Sequence, residues 1–122
     1  MATHNDFGKE GEQEAKKYLE QKGYKIIATN WRHRFNKAEI DIIATINEIV
    51  VIVEVKTRSY NSIEEPEDAV NYKKQQLLIK IADLYAQEKQ VQEEIRFDII
   101  SVLKKGNQWE INHIEDAFED CF

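Results

Sequence analysis

The stretch from Ala38 to Arg58, AEIDIIATINEIVVIVEVKTR, restricts the fold more than any other, because it reads as a β-hairpin carrying charges where a sheet face is usually apolar. Side chains along a strand alternate between faces. In the first arm Ile40, Ile42 and Ala44 fall on one side, and Glu39, Asp41 and Ile43 on the other. In the second arm Val51, Val53 and Val55 share a face, with Ile52, Glu54 and Lys56 opposite. A tight turn at Asn47-Glu48 pairs residues whose numbers sum to 95, which sets Asp41 against Glu54 and Glu39 against Lys56. A turn at Ile46-Asn47 sets Glu39 against Glu54 instead. Both registers gather the charges on one face, whereas a one-residue slip would bury the acids and expose the valines.

Like charges placed opposite each other destabilise a sheet. Two carboxylates about 5 Å apart repel by roughly 3 kcal/mol at an effective dielectric near 20, so such a pair calls for a compensating cation. Hard oxygen ligands beside a lysine suit Mg²⁺ or Mn²⁺, bound through one or two carboxylates, waters and substrate phosphate oxygens. The leading reading is therefore a divalent-metal site for phosphate chemistry. Two others compete with it. One is a nucleic-acid-binding module without significant catalysis. The other is an open sheet face with a Glu39–Lys56 salt bridge and solvated Asp41 and Glu54.

A length of 122 residues predicts one domain, 1–122, with a single core. The longest apolar run, Ile49 to Val53, is far short of the roughly 20 residues of a membrane span, and MATHNDFGKE lacks an apolar signal core. Cytoplasmic placement without membrane attachment is expected. The lone Cys121 excludes an internal disulfide, and His4, His33 and His113 have no partners at a zinc spacing. A net charge of −6 argues against non-specific coating of nucleic acid. Even so, Lys22 to Lys37 holds Lys22, Lys25, Arg32, Arg34 and Lys37 and no acid, a stripe able to follow a phosphate backbone.

Along the chain, Asp6 is expected to cap a helix from Phe7 to Lys22, with Gly23 as its stop. Phe7, Gly11, Ala15, Tyr18, Leu19 and Lys22 form its buried stripe, and Glu10, Glu12 and Glu14 its acidic side. A strand follows from Tyr24 to about Arg34, with Tyr24, Ile26 and Ala28 facing one layer and Ile27 the other. Trp31, beside Arg32 and Arg34, is read as core in preference to a base-stacking platform. A second helix is expected from Pro66 to about Lys89, with Val70, Leu77, Leu78, Ile81, Ala82, Leu84 and Tyr85 on its apolar face. The strand Ile95 to Leu103 should lie parallel to the second hairpin arm across this helix. On it Asp98 is read as an edge acid paired with Arg96 or solvent. A turn at Lys104 to Asn107 and a short strand, Gln108 to His113, complete an α/β fold with a mixed sheet. The phenylalanines of the closing IEDAFEDCF are expected on the sheet.

Asp41, followed thirteen residues later by Glu54-Val55-Lys56, resembles the acid…acid-x-Lys signature of the PD-(D/E)XK, or restriction-endonuclease-like, nuclease superfamily. GEQEAKKYLEQKGY, NWR, EIDIIA, VEVKTR, the Lys74-Gln75 pair, RFD and HIEDAF together resemble the small bacterial YraN-type family over nearly the whole chain. Ala38 departs from that pattern, which has glycine before the EID. The resemblance implies a restriction-endonuclease-like core, a mixed β-sheet with an antiparallel hairpin flanked by two helices. It also implies a Mg²⁺- or Mn²⁺-dependent endonuclease hydrolysing DNA phosphodiester bonds in repair or recombination. Asp41, Glu54 and Lys56 would be catalytic. The metal would take Asp41, Glu54 and the Val55 carbonyl, with Glu39 and Glu12 for a second ion or for waters. Arg32, Arg34, Lys37, Arg58, Lys74 and Gln75 are the candidate nucleic-acid contacts. Branched or damaged DNA is the expected partner, and a homodimer would let so small a cleft engage it.

Overall fold

The computed structural model describes residues 4–34, 37–60 and 70–119. In order they form α1 (His4–Gln21), β1 (Lys25–Arg32), β2 (Glu39–Ile46), β3 (Ile49–Ser59), α2 (Tyr72–Lys89), β4 (Glu94–Lys105) and β5 (Gln108–Phe118). The five strands make one mixed sheet in sequence order. β1, β2 and β3 are an antiparallel meander, β4 joins β3 in parallel after α2, and β5 returns antiparallel. Helix α1 packs on one face, over Ile42, Val51, Val53 and Ile100. Helix α2 packs on the other, over Ile43, Ile52, Phe97 and Ile99. The expected mixed α/β arrangement with a helix on either side of the hairpin is what forms.

Helix α1 begins at His4, so Asp6 lies in its first turn, where it favours the helix dipole but does not cap. Gly23 ends it with φ +95°, and the Tyr24 N–H donates to the Leu19 carbonyl at 2.9 Å, a left-handed stop. The buried stripe stops at Leu19. Lys22 is exposed, its ammonium 5.8 Å from the Tyr18 ring centre. The expected start of α2 at Pro66 lies outside the described residues. Val70 and Asn71 are not helical, however, so the helix does not run unbroken from there: Asn71 caps it, accepting the Lys74 N–H at 3.0 Å. Leu78, Ile81, Ala82 and Tyr85 are buried as expected, Ile79 joins them, and Leu77 is exposed.

The turn of the β2–β3 hairpin holds Asn47 and Glu48 at φ +48° and +66°, the left-handed pair that a two-residue type I′ turn requires. The ladder runs from Ile46↔Ile49 to Ile42↔Val53, the register summing to 95. Val51, Val53 and Val55 lie together toward α1, with Ile52 on the α2 side. The simple alternation fails in β2: Ile42 and Ala44 face α1, but Ile40 joins Ile43 under α2. Its partner strand does the same. Tyr24 and Ile26 face α1, yet Ala28 and Trp31 both pack toward α2, after a bulge at the exposed Ile27. The rungs Ala28↔Ile43 and Trp31↔Ile40 thus present the same face three residues apart. Asn30, at φ +50°, and Asp41 occupy the step between them. Trp31 is half-buried and packs against the α2-side core, edge-on to Tyr85 at 5.1 Å.

Strand β4 follows β3 in an unbroken parallel register from Ile49↔Glu94 to Ser59↔Lys104. Strand β5 extends to Phe118, beyond the expected end at His113, with a left-handed bulge at Asp116 and Phe118 stacked on Phe97 at 5.0 Å. Among the described residues no helix is long and apolar enough to cross a membrane.

Candidate metal centre

The β2–β3 ladder ends at Ile42↔Val53. One step further, the Val55 N–H donates to Asp41 Oδ2 at 2.8 Å, so a carboxylate takes the place of a backbone carbonyl and the strands fork. Glu54 is 5% exposed and sits in this fork, its carboxyl beside that of Asp41 and 3.3 Å from Lys74 Nζ on α2. Burial, and then contact with Glu54, push the Asp41 carboxyl far above the usual carboxylate range, against the opposing pull of the Val55 N–H. Burial and the neighbouring carboxyl thus favour the protonated form of Asp41.

Glu12 arrives from the other side of the sheet. A Cβ on the buried Gly11 would fall inside the Thr57 side chain, so glycine is what lets α1 lie this close to β3 and carry Glu12 to the fork. Glu12, Glu39 and Asp41 each place a carboxylate oxygen within 4.8 Å of the others. Asn30 Nδ2 donates to Glu12 Oε1 at 3.0 Å and to Glu39 Oε1 at 2.8 Å, and Arg32 Nε donates to Glu39 Oε2 at 2.8 Å. Burial raises the Glu39 carboxyl, but the Asn30 and Arg32 hydrogen bonds outweigh it and hold the group below its ordinary value, hence ionised. A cleft of about 300 Å³ opens here, lined by Glu12, Asp41, Glu54 and Val55 together with Lys56 and Lys74.

The charges accordingly do not share one face of the sheet, as alternation predicted. They converge at a fork from α1, β2, β3 and α2, because the step in β2 turns Asp41 toward β3. Nor does the Glu39–Lys56 salt bridge of the open-face alternative form, since Glu39 is held by Asn30 and Arg32. Lys56 lines the cleft and, among the described residues, makes no ion pair. Of the candidate nucleic-acid contacts, Lys74 is in the cleft, Arg32 is exposed beside Glu39, and Arg34 and Lys37 are exposed between β1 and β2. Gln75 Nε2 donates to the Val70 carbonyl at 3.0 Å, tying down the approach to α2 away from the cleft lining. Arg58 is half-buried, with Nη2 3.4 Å from Ser101 Oγ and with Nε and Nη1 buried without a hydrogen-bond partner among the described residues. The basic stripe divides: Lys22 and Lys25 sit at the start of β1, roughly 20 Å from Arg32 at its end.

Asp98 takes no part in this site. It is paired with Arg96, as expected, but it is fully buried and not at a solvent edge. His113 Nε2 lies 2.7 Å from Oδ2, the Asp116 N–H donates to Oδ1 at 3.0 Å, and Tyr18 Oη is 3.0 Å from His113 Nδ1. Asn30 and the Asp98–His113 contact are what sequence reasoning missed. For Asn30 the signal was an asparagine, tolerant of left-handed backbone, inside the NWR run.

The sequence compares with known proteins over the elements that build this fork. Residues 11–102, from α1 into β4, match the model of the uncharacterised protein family UPF0102. A UPF0102 protein of Flavobacterium psychrophilum is 51% identical over 118 residues, covering 97% of this chain and 98% of the relative. One from Flavobacterium johnsoniae is 46% identical over 122 residues, with 97% and 98% covered. Another, from Alkaliphilus oremlandii, is 44% identical over 111 residues, with 88% and 93% covered. Matched over most of its length by that model and nearly end to end by these relatives, the chain belongs to the UPF0102 family.

Proposed function

We propose that this protein is a Mg²⁺- or Mn²⁺-dependent phosphodiesterase acting on DNA, built on a restriction-endonuclease-like core. The observation that carries the reading is the crowding of four carboxyls, Glu12, Glu39, Asp41 and Glu54, at one forked strand pair beside an open cleft that two lysines also line. The donor set fits the ion: all side-chain ligands are hard carboxylate oxygens, with neither thiolate nor imidazole among them.

Asp41 and Glu54 would hold the ion, with the Val55 carbonyl as a further ligand, and Glu12 and Glu39 would hold waters or a second ion. A divalent ion, when bound, supplies charge neutralisation at the scissile phosphate and lowers the pKa of water. A bound cation would favour the ionised form of Asp41, turning the fork from a pair that favours a proton into a ligand set. Lys56, which lines the cleft and has no carboxylate partner among the described residues, would orient the attacking water or stabilise charge on the phosphate as the new P–O bond forms and the old one breaks. Lys74, paired with Glu54 in the absence of a cation, is free to turn to a phosphate oxygen once Glu54 is engaged. Arg32, beside Glu39, and the exposed Arg34 and Lys37 between β1 and β2 would hold the flanking backbone.

The test is cleavage of linear, nicked and branched DNA with Mg²⁺ or Mn²⁺ by wild type, Asp41→Ala and Lys56→Ala. We expect a loss of about 100-fold or more in each variant. Activity that survives both substitutions overturns the assignment. Salt-dependent DNA binding with no metal-dependent product by wild type points instead to a binding module of the same fold.

A further inference from the structure

We propose that Asn30 is a positioning residue of this centre, whose side-chain amide clamps Glu12 and Glu39 together as ligands facing Asp41. The inference rests on the metal-site reading above and assigns a residue that touches neither ion nor substrate.

Glu12 and Glu39 come from different elements, α1 and β2, which bring their backbones near but leave the two side chains to be ordered. Left alone, two carboxylates this near would splay apart. A primary amide has two N–H donors on one nitrogen, and the nitrogen of Asn30 serves Glu12 at 3.0 Å and Glu39 at 2.8 Å. Both contacts go to Oε1, and Arg32 takes Oε2 of Glu39. The amide is neutral. It orders the pair without cancelling the charge that a cation needs, which a lysine at this position would do.

The backbone supports the same role. Asn30 stands at φ +50° inside β1, at the step where both β1 and β2 break their alternation, across from Asp41. Side chains other than glycine rarely adopt this conformation, and asparagine is among the few that do. The left-handed residue thus turns its amide toward the two glutamates and not into either core layer.

Asn30→Gly removes the amide and suits the left-handed backbone, while Asn30→Ala keeps a Cβ and separates loss of the amide from added chain freedom. Mn²⁺ binding is measured by calorimetry, alongside thermal melting and cleavage across a Mn²⁺ titration. We expect Asn30→Gly to melt near wild type, to bind Mn²⁺ about tenfold more weakly, and to recover most of its cleavage rate at saturating Mn²⁺. In a Glu12→Gln background the same substitution should change affinity little, because its effect passes through Glu12. Unchanged Mn²⁺ affinity in both variants, full additivity with Glu12→Gln, or failure of Asn30→Gly to fold each overturns the assignment. Absence of Mn²⁺ binding by wild type would instead overturn the metal centre itself.

Discussion

Asp41 and Asp98 sit on the same sheet, and both are acids drawn away from water, but their surroundings differ in sign. Asp98 is met by the Arg96 guanidinium, the His113 ring and the Asp116 N–H. Burial would raise its carboxyl, yet these donors hold it below the ordinary range. Asp41 is met by Glu54 and Glu12 and by one N–H, and its carboxyl is held far above that range by burial first and by Glu54 second. A buried charge that its surroundings compensate is part of the architecture. One left uncompensated beside an opening is a candidate for chemistry. Proteins commonly give up stability at such sites.

Substitution by the neutral isostere should therefore act in opposite directions. Asp98→Asn leaves Arg96 facing no buried anion, and it should lower stability by about 3–5 kcal/mol, a drop in Tm on the order of 10 °C or more. Asp41→Asn, measured in chelator, relieves the carboxyl pair and should raise stability by about 1 kcal/mol. Calorimetric melts of both variants decide it. If Asp41→Asn destabilises as much as Asp98→Asn, the fork is a structural hydrogen bond and the contrast collapses.

The two acids should also impose opposite pH slopes. With its folded pKa lowered, Asp98 contributes stability that is present above its unfolded value, about 3.9, and that is lost as pH falls through the folded value. With its folded pKa raised, Asp41 favours the folded state below that unfolded value and loses this contribution as pH climbs toward its folded value. In chelator, Asp98→Asn should flatten the acid limb of the stability profile and Asp41→Asn the decline between about pH 4 and about pH 9. Urea midpoints from pH 3 to pH 9 would show it. Mn²⁺ binding should release a proton in the wild type and none in Asp41→Asn, read as a buffer-dependent heat.

How much of this the sequence disclosed follows from range. The hairpin and the α1-facing valines were legible because alternation and turn chemistry are local, and of the two registers left open the Asn47-Glu48 turn is the one that forms, setting Ile42 against Val53. The fork was not legible. Ile40 changes layer only because β1 steps with it, and that coupling joins Asn30 to Asp41 across two strands. Glu12 was reachable through the resemblance, but the physical cause of its approach, Gly11 against Thr57, lies in a helix–sheet contact. The Asp98–His113 pair was half legible. Projecting β4 and β5 from Gly106-Asn107 sets Ile100 against His113, but only a β5 longer than expected brings the Asp116 N–H to Asp98.

The smallest effect separates geometry from burial. Arg32–Glu39 and Arg96–Asp98 have the same closest approach, 2.8 Å. The side chains of the first pair are 66% and 27% exposed, and those of the second 19% and 0%. If pairing alone stabilised the fold, cutting either arginine back to glutamine would have similar consequences. Solvent screening and side-chain entropy predict otherwise. Arg32→Gln should shift stability by at most about 1 kcal/mol, and the shift should shrink further in high salt. Arg96→Gln strands a fully buried carboxylate and should lower stability several-fold more, with little response to salt. Because Asn30 still holds Glu39 when Arg32 is gone, Arg32→Gln should also leave Mn²⁺ affinity within about threefold of wild type, far less than the change expected from removing the Asn30 amide.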